Sequence, residues 1–416
     1  MIENIFHALG TANKEKIHSE FLAWFFNLPS NIINDKEKTN FLKKLFKDEN
    51  IKSLTSFETF TEIENIDIII KTDKTVFVIE NKLKSSEHDK QTEKYKKIIE
   101  NDKLPKKLEI SKDSVYYYGF LTLIGEEAET NDWITITYSD LAKAFGTLKN
   151  INDNKEFNKY YSFINEYIDA LTDIIKVWDN FSANYFEKEN KGYNEVIFGD
   201  KLSKTESTLE KLTGEKYSEN WCKSFIKKYS FRLIFEKSIF HKLVKELENE
   251  KKDLKFKNYN ITSDKDSNTN SINWHISETN GTALIHFDIE YFYIENEKEK
   301  ENEKRLFTLG FQVQDNSFKI NCQRPGKLYE NSEPEDINDI IPIFEKYKNV
   351  TVYNKLNKPT KKALVSISKS LGAKNGRLNL TYKEYHEKFT NEFNNALNII
   401  KELKQIIMND NSIKKK

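Results

Sequence analysis

Two apolar segments separated by two residues constrain the fold of this chain more than any other feature. "IDIIIKT" (66–72) and "TVFVIENKL" (75–83) are rich in β-branched residues, which favour β-strands. The two residues between them predict a tight hairpin in which Thr72 faces Thr75. In that register Asp67 faces Glu80 as a non-hydrogen-bonded pair, with the two Cβ atoms about 4.5–5.5 Å apart.

These two carboxylates lie in an otherwise apolar hairpin, where directly opposed like charges destabilise a sheet. A hard divalent cation such as Mg²⁺ would neutralise them, because it binds one or two carboxylates and fills its other positions with water and substrate phosphate. Lys82 follows Glu80 by two residues and so lies on the same face of the strand. The alternative is structural: Asp67 marks a strand edge, and Glu80 and Lys82 pair only with each other.

The surrounding pattern predicts a mixed α/β (α+β) domain. Helical periodicity covers residues 14–27, and Pro29 ends that helix. The other elements are strands at 57–65, 115–124 and 133–139 and helices at 86–101 and 139–148, with Ser86 and Ser139 as N-caps. With the hairpin included, the order is αβββαββα, which packs helices on a sheet.

The pattern of Asp67 followed by Glu80-Asn81-Lys82 resembles the PD-(D/E)XK nuclease superfamily, which includes restriction enzymes and repair and defence nucleases. Ile66 stands where that family has proline. The resemblance covers roughly residues 10–145 and implies a restriction-endonuclease-like αβββαβ core. It also implies that Asp67 and Glu80 bind Mg²⁺, with Mn²⁺ able to substitute, and that Lys82 orients or activates the attacking water.

The helix at 14–27 carries a second part of the resemblance. Its "EKIHSEFLAWFFN" is similar to the E-x-x-H-S-x-x-L-A-W-L-L helix of one bacterial branch, whose acidic residue contributes to the metal site. Glu15 is the predicted third ligand, because Glu20 points away from the apolar face at about 100° per residue and is only the fallback. His18 is predicted either to bind substrate or to serve in helix packing.

The third part is "QTEKY" (91–95), directly after the hairpin. Gln91 and Tyr95 are four residues apart and so share a helix face, as do the Gln and Tyr of the Q-x-x-x-Y helix in the same branch. They are predicted to hydrogen-bond the scissile phosphate or its neighbour, with Gln91 as a catalytic residue and Tyr95 as a substrate-binding residue. The alternative is two polar residues on a solvated helix.

The C-terminal part carries no motif for chemistry. Helices are predicted at 153–179, about 220–250 and 381–408, loops at 263–271 and 295–304, and an antiparallel meander over 272–323. The predicted domains are a nuclease-like domain at 1–150, a helical connector at 151–185 and an α+β domain at 186–416. Asp288, Glu290 and Glu295 make the meander a poor phosphate-binding face. Recognition, regulation, or contact with a protein partner or a second copy of the chain is expected there.

The resemblance implies phosphodiester hydrolysis, with DNA rather than RNA as the substrate and a role in bacterial restriction or anti-phage defence. The residues themselves do not decide between DNA and RNA. With 66 basic and 66 acidic residues, the net charge gives no global electrostatic case for a polyanionic partner. The alternative is a non-catalytic scaffold that keeps the nuclease fold, although the intact acid, acid and lysine argue against it.

Several other classes are excluded by what the chain lacks. Two cysteines are too few for a disulfide framework and suit the reducing cytoplasm. The sequence contains no stretch of about 18 apolar residues, so no membrane span is predicted. The seven histidines form no H-E-x-x-H pattern, and the 12 glycines form no phosphate-binding loop, so zinc hydrolysis and nucleotide phosphoryl transfer are disfavoured.

Overall fold

The chain forms two compact units in a computed structural model. The first comprises Met1–Asn184 with Lys201–Ile234, and the second Tyr185–Asp200 with Phe235–Lys416. The residues that the structure describes are 4–12, 14–84, 87, 91–101, 103–128, 130–150, 155–189, 191, 230–258, 271–279, 282–294, 304–314, 317–323, 350–352, 363–370 and 380–409. The predicted domain boundaries at 150 and 185 stay predictions.

A five-stranded sheet organises the first unit. Its strands are β1 (Glu58–Ile63), β2 (Ile66–Lys71), β3 (Thr75–Lys82), β4 (Val115–Thr122) and β5 (Ile134–Thr137). The strand order in space follows the chain order. The pairs β1–β2 and β2–β3 are antiparallel, whereas β3–β4 and β4–β5 are parallel. The carboxyl ends of β3, β4 and β5 therefore lie at one edge of the sheet.

The β2–β3 hairpin has the predicted register. Ile68 pairs with Ile79 and Ile70 with Phe77, as a two-residue loop requires. Beyond the last of these pairs, the Thr72 N–H donates to the Thr75 carbonyl at 2.9 Å and closes the turn. The regular pairing stops one position short of Asp67 and Glu80, so those two residues flank the open end of the hairpin.

Helices cover both faces of this sheet. They are α1 (Ile5–Ala8), α2 (Glu15–Asn27), α3 (Asp35–Phe46), α4 (Gln91–Glu100), α5 (Lys103–Lys107), α6 (Tyr138–Gly146) and α7 (Lys155–Ser182), with a 3₁₀ turn at Thr147–Asn150 and a π-helical turn at Ala183–Glu187. On one face, α4 and α5 pack on β2, β3 and β4 through apolar residues such as Val78, Ile99 and Phe120. The predicted mixed α/β fold is confirmed.

The opposite face is covered by α2, α3, α6 and α7 through an aromatic cluster. Phe21 stacks on Tyr167 with ring centroids 3.8 Å apart. Phe41 contacts both Phe25 and Phe145 at 5.0 and 4.8 Å. Offset and edge-to-face ring pairs add to the stabilisation from apolar burial, so this cluster anchors α2 firmly against the sheet.

Several elements differ from the sequence prediction. The helices α1, α3 and α5 were not expected. The N-cap of α6 is Thr137 rather than Ser139, because the Thr137 hydroxyl accepts from the Asp140 N–H while Asp140 reaches back to the Thr137 N–H. The predicted cap Ser86 lies outside the described residues, and the described part of that helix begins at Gln91.

The second unit contains a seven-stranded sheet. Its strands are β6 (Lys255–Asn258), β7 (Ser271–Thr279), β8 (Thr282–Ile294), β9 (Lys304–Gln314), β10 (Ser317–Gln323), β11 (Val350–Val352) and β12 (Ala363–Ser370). They lie in the order β11-β12-β10-β9-β8-β7-β6. Successive antiparallel pairing from β7 to β10 confirms the predicted meander. The three strands β6, β11 and β12 were not expected.

Two long helices accompany this second sheet in the described part of the chain. They are α8 (Phe231–Glu250), which falls within the helical segment predicted at about 220–250, and α9 (Tyr382–Asn409), which extends one residue past the segment predicted at 381–408. Phe393 of α9 contacts Phe311 and Phe287 of the sheet, with ring centroids 5.3 and 5.7 Å apart. The predicted loops at 263–271 and 295–304 lie outside the described residues, apart from their last residues, which begin β7 and β9.

None of the helices that the structure describes is both long enough and apolar enough to traverse a bilayer.

Candidate active site

Glu80 and Lys82 form a buried ion pair at the end of β3. Their side chains are 1 % and 6 % exposed, and the Lys82 Nζ lies 2.7 Å from the Glu80 Oε1. Period-two alternation of the strand places both on the face toward α4. Much of the neutralising charge that the sequence assigns to a metal ion is therefore supplied by Lys82.

The second carboxylate oxygen of Glu80 is the unusual atom of this pair. Its Oε2 is buried and accepts no hydrogen bond of ordinary geometry from the residues that the structure describes, although the Tyr95 side chain is close enough to interact with Glu80. Burial raises the pKa of Glu80 above its ordinary value, and the charge of Asp67 adds to this, although the charge of Lys82 and its hydrogen bond oppose it. Burial lowers the pKa of Lys82, but the charges of Glu80 and Asp67 and the hydrogen bond to Glu80 more than offset that, so the net shift is upward.

Asp67 lies beside this pair at the start of β2. Its Oδ2 accepts a hydrogen bond of 2.7 Å from the backbone N–H of Asn81. Burial raises the pKa of Asp67, and the charges of Glu62 and Glu15 act in the same direction, whereas the Asn81 N–H and Lys82 oppose them. Glu62 is therefore a further acidic residue near the site, from the preceding strand.

Glu15 lies at the first position of α2 and contacts the end of β3. Its Oε1 accepts hydrogen bonds from the backbone N–H groups of Leu83 at 2.9 Å and Lys84 at 3.0 Å. Glu20, the fallback residue, is exposed and accepts a hydrogen bond from the Thr61 hydroxyl. The structure thus brings Glu15 to the site and directs Glu20 toward β1.

His18 is buried in the aromatic cluster. Its Nε2 must donate to the Ala12 carbonyl at 2.9 Å, because a carbonyl oxygen only accepts, and its Nδ1 then accepts from the Tyr167 hydroxyl at 3.0 Å. Burial lowers its pKa from 6.5 to about 4, so the ring is neutral near pH 7. This arrangement favours the packing role over the substrate-binding role; substrate binding by His18 stays a prediction.

Gln91 and Tyr95 share one face of α4 next to the carboxylates. The Gln91 Nε2 donates to the Tyr95 hydroxyl at 3.3 Å, and that hydroxyl donates to the Asn65 carbonyl at 2.6 Å. Tyr95 is 3 % exposed, and its pKa is raised by burial, by the charges of Glu80 and Asp67 and by the interaction of its hydroxyl with the Glu80 side chain. The Gln91 Oε1 is buried without a hydrogen bond from the described residues. The predicted phosphate contacts of both residues stay predictions.

The comparison with protein families decides the class of this region. Residues 3–169 match the PD-(D/E)XK nuclease superfamily. This match supports the PD-(D/E)XK nuclease superfamily for the N-terminal region of the chain. No curated protein and no solved structure matched the chain.

Members of the PD-(D/E)XK superfamily generally use divalent metal ions, and the residues present suit one. The candidate ligands are carboxylate oxygens, which Mg²⁺ prefers, and the Glu80 Oε2 is a buried acceptor without a hydrogen bond of ordinary geometry from the described residues. Among those residues, no group of three or more His, Cys, Asp or Glu side chains lies close enough to hold a metal by itself. Two carboxylates completed by water and substrate phosphate are sufficient for Mg²⁺.

Sequence reasoning missed two residues that organise the site. Glu87 is buried, and its Oε1 accepts from the Thr92 N–H at 2.7 Å, so it holds the first turn of α4. Asn81 is buried between Glu80 and Lys82, and its side chain makes three hydrogen bonds, two to α2 and one to α6. An amide at an inward-facing position of an apolar strand was the available signal, because buried polar groups require partners.

Proposed function

We propose that the N-terminal unit is a metal-dependent nuclease that hydrolyses phosphodiester bonds in DNA. The observation that carries the proposal is the Glu80 Oε2, a buried carboxylate oxygen that accepts no hydrogen bond of ordinary geometry from the described residues. An orphaned buried acceptor costs about 1–3 kcal/mol unless something binds it. A divalent cation shared with Asp67 and a substrate phosphate would satisfy it, and the superfamily match supports that assignment.

Asp67 and Glu80 would hold the metal ion, preferably Mg²⁺ or else Mn²⁺, with Glu15 as a bridging or outer ligand. When bound, a divalent cation polarises a phosphoryl oxygen and lowers the pKa of a bound water. Lys82, fixed by Glu80, positions the attacking water and stabilises the negative charge of the transition state. Gln91 and Tyr95 would hydrogen-bond the scissile phosphate or its neighbour from α4. His18 would hold α2 in place through its hydrogen bonds to Ala12 and Tyr167.

The biological setting follows from the same resemblance. We propose DNA over RNA as the substrate and endonucleolytic cleavage in bacterial restriction or anti-phage defence. Two cysteines in the whole chain fit a protein of the reducing cytoplasm. The second unit would serve recognition, regulation, or contact with a protein partner or a second copy of the chain.

One observation favours a second candidate function. The Lys82 Nζ already neutralises the Glu80 Oε1 at 2.7 Å. A nuclease fold that has lost its metal could retain such a pair for stability alone, and the chain would then be a non-catalytic scaffold or interaction protein. Such a scaffold would neither cleave nucleic acid nor bind a divalent ion.

The decisive experiment is cleavage by the full chain in Mg²⁺, in Mn²⁺ and in EDTA. Supercoiled DNA, linear DNA, single-stranded DNA and RNA are the substrates. We expect metal-dependent cleavage of DNA that falls on the order of 10²-fold or more in Asp67→Ala and Lys82→Ala, because each removes charge stabilisation from the transition state.

Lys71→Ala is the matched control for these variants. Lys71 belongs to the same hairpin but pairs with the exposed Glu58 at 3.1 Å, away from the site. It should cleave like the wild-type protein. Undiminished cleavage by Lys82→Ala, or equal cleavage in EDTA, would refute the proposal, and cleavage of RNA alone would refute the DNA assignment.

A further inference from the structure

The side chain of Asn81 links β3 to two helices through three hydrogen bonds. Its side chain is 1 % exposed. Its Nδ2 donates to the backbone carbonyl of Glu15 at 2.8 Å and to the Ser19 hydroxyl at 3.2 Å. Its Oδ1 accepts from the Tyr138 hydroxyl at 2.7 Å. All three hydrogen-bond partners of the Asn81 side chain lie on helices, two on α2 and one on α6.

The first turn of α2 is not capped by a side chain of its own N-cap residue. The N-cap residue Lys14 makes no side-chain capping hydrogen bond, although an N-cap side chain normally satisfies the first N–H groups of a helix. Glu15, the next residue, instead places its carboxylate on the N–H groups of Leu83 and Lys84. The hydrogen bond from Asn81 to the Glu15 carbonyl therefore fixes the backbone from which that carboxylate extends.

We propose that Asn81 is a positioning residue for the acidic groups of the site, acting through Glu15. Its side chain ties the start of α2 to β3, between the two residues of the ion pair. Its backbone N–H holds the Asp67 Oδ2 at 2.7 Å from the same position. One residue thus sets the placement of carboxylates from two elements relative to Glu80 and Lys82. The catalytic part of this inference rests on the proposed nuclease function.

If Asn81 served only to stabilise the fold, the loss of any one of its hydrogen bonds would have a similar effect on the site. Two variants separate these roles. Asn81→Asp keeps an acceptor for Tyr138 but loses the donor to the Glu15 carbonyl. Tyr138→Phe removes the other hydrogen bond of the same amide and leaves the link to α2 intact. Asn81→Ala removes both and serves if Asn81→Asp does not fold.

The first measurement is amide hydrogen exchange of the metal-free full chain. In Asn81→Asp and Asn81→Ala we expect the N–H groups of Leu83 and Lys84 to exchange about tenfold faster, because the Glu15 carboxylate no longer covers them in a fixed position. Tyr138→Phe should leave these two amides within about twofold of wild type. Equal acceleration in Tyr138→Phe, or none in the Asn81 variants, would overturn the positioning role.

The second measurement is a cycle with Glu15→Ala in the cleavage assay. Asn81→Ala should lower kcat on the order of 10–100-fold with little change in KM, because misplacing a catalytic group by about 1 Å has that effect. In the Glu15→Ala background the same substitution should have almost no further effect. Independent, multiplicative losses would show that Asn81 does not act through Glu15.

The two measurements distinguish a failure of the proposed nuclease function from a failure of the proposed role of Asn81. If the wild-type chain cleaves nothing, the proposed function is wrong, but hydrogen exchange still decides whether Asn81 positions Glu15. If exchange is unchanged while cleavage is metal-dependent, the nuclease assignment stands and the role of Asn81 is wrong.

Discussion

Glu80 and Lys82 show which features of a strand residue can be predicted from the sequence: the strand face it occupies, but not the partner of its side chain. The two-residue turn determines the hairpin register, so residues on the Glu80 face could be assigned from the sequence alone. The local pattern left two outcomes open, a pair between Lys82 and Glu80 or a lysine beside a metal ion, and could not decide between them. That choice depends on rotamers and on the closeness of α4, which are tertiary features. For the same reason, the contact of Glu15 with two backbone N–H groups was not visible.

His18 gives a testable consequence at this scale. The folded protein holds its pKa at about 4, against 6.5 for the ordinary value, so the unfolded state binds more protons between these pH values. The stabilisation is present above pH 6.5 and is lost as the pH falls toward 4. Over this range His18 should reduce the free energy of unfolding by about 3 kcal/mol.

Denaturant unfolding of the wild type and of His18→Gln at a series of pH values tests this. Gln keeps a donor and an acceptor but does not titrate. The difference in free energy between the two proteins should shrink or reverse as the pH falls, even if the variant is less stable at pH 7. A constant difference from pH 7 to 4 would show that His18 is not held neutral.

At the scale of elements, α3 shows why part of the fold could not be predicted. Lys38 occupies an inward position of this helix, and its Nζ donates to the carbonyls of Phe26 and Leu28 at the end of α2. A lysine at a core position breaks the apolar periodicity on which helix prediction depends. The capping box of Asn34 and Glu37 was the remaining signal for the start of the helix.

The N-cap of α6 is Thr137 in the structure and Ser139 in the sequence prediction, and two substitutions distinguish these assignments. Thr137→Ala removes a hydroxyl that accepts from the Asp140 N–H at 3.1 Å and donates to its carboxylate at 2.8 Å. It should lower the free energy of unfolding by about 1 kcal/mol. Ser139→Ala, at the position favoured by the sequence, should change it by less than about 0.5 kcal/mol. Calorimetry of both variants decides, and a larger loss in Ser139→Ala would contradict the assigned cap.

At the scale of the whole molecule, alternation along each strand predicted the β7–β10 meander because its strands are neighbours in the chain. The pairing of β12 with β10 joins Ile367 to Ile320 across a long stretch of sequence. Nothing local in "ALVSISKS" indicates that partner. The superfamily match ends at residue 169, so the second unit takes no functional assignment from it.

Divalent-metal binding should be visible in the stability of the full chain, independently of any cleavage. A ligand that binds only the folded state adds about 2.7 kcal/mol at one hundred times its Kd, and each kcal/mol raises Tm by about 2–4 °C for a domain of 150–250 residues. Mg²⁺ or Mn²⁺ should therefore raise the Tm of the wild type and of Lys71→Ala, and EDTA should reverse the shift. Asp67→Asn should lose it, because the amide supplies no negative charge to the cation. A scaffold whose buried charge is balanced by Lys82 alone predicts the opposite: no metal-dependent shift in the wild type, and hence none for Asp67→Asn to remove.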